Sequence, residues 1–132
     1  MATETEVFTK LIGKTITSIN TDKREFIEMI TTEGDKWRMY HAQDCCESVE
    51  IEDINGELDD LIGSPILMAE AVSHENETPD EIKALDKDDY GSFTWTFYKF
   101  ATQRGYVTIR WYGSSNGYYS ERVDFKLEAI TA

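Results

Sequence analysis

Positive charge is scarce in these 132 residues: thirteen Lys and Arg stand against twenty-six Asp and Glu, for a net charge of −13. Such a balance disfavours direct binding to nucleic acid or anionic lipid, since both need a positive surface to displace counterions. No apolar run approaches the roughly 20 residues that a membrane span requires. The opening Met-Ala-Thr-Glu-Thr-Glu has neither the basic nor the apolar stretch of a secretory signal. Cysteine is limited to Cys45 and Cys46, which are adjacent and cannot staple distant parts of a fold. A reducing cytoplasm is therefore the expected compartment, with both thiols free. No Walker loop, GxGxxG, GxSxG or HExxH occurs, which closes the commonest phosphate, dinucleotide and hydrolase routes. The expectation is a protein without enzymatic activity and without a cofactor.

What is present suits one domain over residues 1–132. Hydrophobic residues at 40% and aromatics at 12% supply a core. A chain of this length buries roughly two thirds of its unfolded surface on folding. The charge is concentrated: residues 44–89 hold sixteen acids and only two bases, Lys83 and Lys87. Such a block is either a solvated face or a negative surface for a basic partner. Within it, residues 73–89 are polar, contain Pro79 and lack a strand period, and so read as an exposed acidic loop.

Periodicity predicts an α+β fold: a single antiparallel β-sheet of about six strands, an N-terminal helix and a short central helical turn. Val7, Phe8, Leu11 and Ile12 stand at helical spacing before Gly13. Residues 25–32 and 36–42 read as strands, the second with Trp37, Met39 and His41 on one face. Val49 and Ile51 alternate with Glu50 and Glu52 as in a half-buried strand. Asn55-Gly56 is a turn signal, and Leu58, Leu61 and Ile62 suit one helical turn. Residues 92–101, 106–113 and 118–127 follow as three long strands joined by short turns, which predicts one antiparallel sheet. Trp95, Ile109, Trp111, Val123 and Phe125 are its expected core, with Phe93, Trp95 and Phe97 on the inward side.

Several clusters could carry chemistry. His41, Asp44, Cys45, Cys46 and Glu47 lie within seven residues and offer the atoms zinc prefers. Adjacent cysteines rarely both reach one tetrahedral ion, however, and no CxxC is present. His41, Cys45 and Cys46 are candidate ligands, but reduced, metal-free cysteines are the expectation. The run from Asp53 to Asp60 resembles a calcium loop, yet aligning Gly56 to the loop glycine puts Ile51 and Ile62 where carboxylates are needed. As a partner-binding acidic surface, Glu50 and Glu52 on one strand face combine with Asp59 and Asp60 from the next turn. An alternative ligand face is aromatic and cationic: Tyr98, Arg110, Tyr112, Tyr118 and Arg122, opposite Trp95, Ile109 and Trp111. Such a face suits a planar or phosphorylated, nucleotide-like ligand. Left uncovered, it would also favour a homo-oligomer.

Longer motifs carry a resemblance. They are Met39-Tyr40-His41 with Gln43-Asp44-Cys45-Cys46-Glu47, Gly63-Ser64-Pro65, Thr94-Trp95-Thr96-Phe97-Tyr98-Lys99-Phe100, and Ile109-Arg110-Trp111-Tyr112-Gly113 with Ser115-Asn116-Gly117-Tyr118-Tyr119-Ser120-Glu121. Together they resemble a family of small proteins of unknown function met in phages, prophages and bacterial genomes, over roughly residues 39–125. The resemblance implies no catalytic residue. It does imply a phage-like setting, where small acidic proteins without enzymatic activity often block host defences. The function it suggests is inhibition of a host defence protein, through an acidic surface on a partner with a basic one.

Overall fold

Turn residues divide the first third into a meander of three strands. The computed structural model describes residues 8–80, 91–117 and 119–130. Strands β1 (Ile16–Thr21), β2 (Phe26–Thr31) and β3 (Asp35–Tyr40) pair antiparallel in that order. Between β1 and β2, one oxygen of Asp22 accepts the backbone N–H groups of Arg24, Glu25 and Phe26 at 2.7–3.2 Å. That is the local hydrogen bonding by which Asp closes a turn. After β4 (Ser48–Asn55) comes a single 3-10 turn (Leu58–Leu61), as the spacing of Leu58 and Leu61 predicted. Strands β5 (Met68–Glu75), β6 (Ser92–Thr102), β7 (Gly105–Ser115) and β8 (Asp124–Ile130) complete the described elements.

The expected α+β fold is overturned. The strands form two four-stranded antiparallel sheets, in the orders β1-β2-β3-β8 and β4-β7-β6-β5. The expected N-terminal helix lies partly outside the described residues. From Phe8 to Lys14 the backbone makes short turns closed by bonds such as Leu11 N–H to Phe8 O, 3.1 Å. Phe8 and Leu11 are nevertheless fully buried. Their spacing marked burial, and Phe8 sits 4.8–5.1 Å from the rings of Tyr98, Phe100 and Phe125 as a plug in the core. The exposed loop expected over residues 73–89 is corrected at its start, since β5 runs to Glu75 and Thr78 beyond it is buried; residues 81–89 lie outside the described residues.

One core lies between the sheets. Ile27, Met29, Trp37, Met39 and Phe125 come from one side, and Ile51, Tyr98, Phe100, Ile109 and Trp111 from the other. Trp95, Ile109, Trp111, Val123 and Phe125 are all buried as expected. Trp95 is buried on the opposite face, however. Both faces of β6 are aromatic, and Tyr98 and Phe100 are the ones turned to the core. Trp95 and Phe97 form an outer cluster with Tyr112 and His74, and the Trp95 indole N–H donates to Thr78 at 3.1 Å. The last strand departs as well. β6 and β7 form the expected hairpin, but β8 crosses to the other sheet and pairs with β3. The segment before β8 is tied back by the buried carboxylate of Glu121, which accepts hydroxyl bonds from Thr94 (2.8 Å), Ser115 (2.7 Å) and Ser92.

Candidate functional site: an acidic groove between two edge strands

Strands β1 and β4 are edge strands of different sheets, each hydrogen-bonded to a neighbouring strand on one side only. Two backbone links lie near their ends: Ile51 N–H of β4 to Arg24 O in the turn after β1 at 2.7 Å, and Gly63 N–H, just past the 3-10 turn, to Ile16 O of β1 at 2.9 Å. Between the links runs a groove of about 560 Å³, lined by Ile19, Thr21 and Lys23, by residues 51–54, and by residues 56–59. Its floor is apolar: Ile19, Ile54 and Leu58 are half-buried and packed on the core. Its charged groups are Glu52, Asp53, Glu57 and Asp59 against the single cation Lys23.

Local sequence explains the acidic wall. A bulge between Ile51 and Asp53 lets strand β4 carry two consecutive acids outward without losing its pairing to β7. Asn55-Gly56 then reverses the chain, with Gly56 at φ +109°. A Cβ there would stand 2.5 Å from the Tyr106 carbonyl oxygen, so the turn requires glycine.

The four acids expected to form one surface are separated. Glu52 and Asp59 reach the groove. Glu50 turns to Arg24 (2.9 Å), and Asp60 lies 3.7 Å from Arg104. Glu52 is itself held by Arg110 at 2.5 Å, with Asp53 3.7 Å from the same guanidinium. Asp53 and Glu57 were not among the expected site residues, although they flank the Asn55-Gly56 turn that the sequence marks.

The alternative ligand face does not assemble. Tyr98 is fully buried in the core. Arg110 is engaged by acids and lies 5.8 Å from the Trp95 ring. Tyr112 packs 4.6 Å from Trp95, and Arg122 lies beyond β7 in the segment whose carbonyl meets His41. Tyr118 lies outside the described residues. Because Trp95 and Phe97 are buried within the chain, that face gives no reason to invoke a second copy.

The His41–Glu47 segment is a structural knot. His41 Nε2 and the Glu47 carboxylate are 2.7 Å apart, and the backbone N–H groups of Asp44 and Cys45 donate to the same carboxylate at 2.9 Å. The other imidazole nitrogen faces the Arg122 carbonyl at 2.7 Å. Both ring nitrogens therefore face oxygen atoms that can accept a hydrogen bond. Cys45 and Cys46 are exposed and bonded sulfur to sulfur, contrary to the expectation of free thiols: as neighbours in the chain, their sulfurs lie within bonding reach of each other. His41 is committed to Glu47 and does not converge with the two sulfurs. Among the described residues, no three His, Cys, Asp or Glu side chains are placed to hold a metal ion. No helix among the described residues is long and apolar enough to cross a membrane.

An antiparallel two-sheet protein with an acidic groove at one edge is the class that fold and site define. By sequence the chain belongs to the family described as Domain of unknown function (DUF7448), whose model matches residues 9–125. No curated protein and no solved structure matches it.

Proposed function

We propose that the protein has no enzymatic activity and acts as an interaction protein, holding a basic segment of a partner protein in the β1/β4 groove. The observation that carries this is the groove's composition: an apolar floor of Ile19, Ile54 and Leu58 beneath four carboxylates and one lysine. Lys and Arg side chains match it, because their methylene stems cover apolar surface while the charged heads stay among the acids. A host defence protein with a basic nucleic-acid-binding surface is the partner class that the resemblance to phage-borne proteins favours.

The test reverses Asp53, Glu57 and Asp59 to lysine and spares Glu50, Glu52 and Asp60, the nearest carboxylates to Arg24, Arg110 and Arg104; Arg110, 3.7 Å from Asp53, keeps Glu52 at 2.5 Å. Folding should persist, since exposed charges contribute little to stability. Association with a labelled octalysine peptide should weaken by about tenfold or more at low salt, and by less at high salt. A control carrying Glu70→Lys, Glu75→Lys and Glu77→Lys has the same net charge. Equal weakening in both variants would mean that net charge alone, without the groove, attracts the peptide.

A further inference from the structure

We infer that the groove receives its partner as an added β-strand, an extended Lys- or Arg-bearing segment pairing with the open edge of β1. This rests on the groove being the docking site and specifies how it is filled. An exposed strand edge is a row of backbone donors and acceptors, and folded proteins usually blunt it with charge, proline or a bulge. Three of the four edge strands here are blunted. β4 carries Glu50, Glu52 and Asp53 and is bulged; β5 carries Glu70 and Glu75; β8 carries Asp124 and Lys126. β1, Ile-Thr-Ser-Ile-Asn-Thr, has no charge and no proline.

Its geometry favours pairing. The irregularity in β1 falls between Ile16 and Ser18, where bridges from Thr15 to Pro65 and from Ile16 to Ile62 already cover the edge. From residue 18 to 21 the register with β2 is regular, and Ile19 and Thr21 line the groove. Four strand residues span about 13 Å, enough for a short segment to pair along them. Alternate side chains of that segment would turn into the groove. There, Lys or Arg stems would lie on Ile19, Ile54 and Leu58, with the heads among Asp53, Glu57 and Asp59. A second copy of this chain is the wrong occupant, since it would bring two acidic walls together at a net charge of −13 each.

The probe is the labelled peptide Thr-Lys-Thr-Lys-Thr-Lys, compared with two versions N-methylated on either alternate set of backbone amides. Methylation removes the strand's donors on one edge and keeps every charge. Strand addition predicts that one methylated version loses affinity by about tenfold or more. It also predicts that the amide signals of residues 18–21 shift most on titration. If both methylated peptides bind like the parent while the Asp53, Glu57 and Asp59 reversal still abolishes binding, strand addition fails and the acidic docking site stands. If the reversal changes nothing, the docking site itself fails. Strand addition is equally overturned if no shift appears at residues 18–21 with millimolar peptide, or if those signals shift with protein concentration alone and the chain dimerises.

Discussion

Replacing Trp111 with alanine should cost about 3–5 kcal/mol, the range for emptying a fully buried aromatic site. For a domain of this size that lowers Tm by roughly 10–20 °C. Trp111 is completely buried on β7, between cross-strand neighbours Ile51 and Thr96. Its indole N–H points across the core to the sulfur of Met39 at 3.1 Å, so the same side chain fills space and links the two sheets. The flanking strands are each paired on β7, and neither can move inward to close the void without breaking a ladder. Trp95→Ala is the informative comparison. Trp95 is equally buried but packs on the outer face beneath Thr78, where a segment outside the strands can settle into the space. The loss at Trp95 should be the smaller of the two in urea unfolding. A Trp111→Ala protein with an unchanged midpoint would refute its place between the sheets.

That pair of tryptophans also shows where the sequence was legible. On β7 one face alone is apolar: Val107, Ile109 and Trp111 alternate with Thr108, Arg110 and Tyr112, and the inward set follows at once. On β6 both faces are aromatic, so alternation cannot choose between Trp95 with Phe97 and Tyr98 with Phe100. Only packing against Phe8 and Phe125 decides. The spacing of Phe8 and Leu11 reported burial correctly and helix incorrectly, because a plug across the end of two sheets needs the same interval as a helical stripe. The passage of β8 to the other sheet leaves no local mark, since a strand's period is the same whichever sheet it joins. The acidic groove was half legible. The excess of acid in residues 44–89 and the Asn-Gly turn located it, but Arg24, Arg110 and Arg104, which pair with Glu50, Glu52 and Asp60, lie far from them along the chain. Contacts at such separations follow from topology, which had been assigned to a different fold class.

Removing the charge at Glu47 should cause the next largest loss, and one that depends on pH. The Glu47 side chain is wholly enclosed. Burial by itself pushes its carboxyl pKa up, but the N–H of Cys45, the His41 imidazole and the N–H of Asp44 outweigh that and hold it at about 2, against an ordinary 4.5. A folded-state pKa below the unfolded one means stability that is fully present above about pH 4.5 and is lost as the pH falls towards 2. Glu47→Gln keeps the shape and one acceptor but cannot carry the negative charge that favours these hydrogen bonds. The variant should unfold at lower urea than the natural protein at pH 7, and the gap should narrow steadily between pH 4.5 and about 2. Asp22 is also held low, with slight burial outweighed by the backbone N–H groups of Glu25, Arg24 and Phe26. It is common to both proteins and cancels in the difference. Because the knot joins the end of β3 to the Arg122 carbonyl, the variant should also loosen the segment before β8, read as faster amide exchange at residues 122–124. A gap that stays constant from pH 7 to pH 2.5 would show that the Glu47 charge contributes nothing and that the site holds by shape alone.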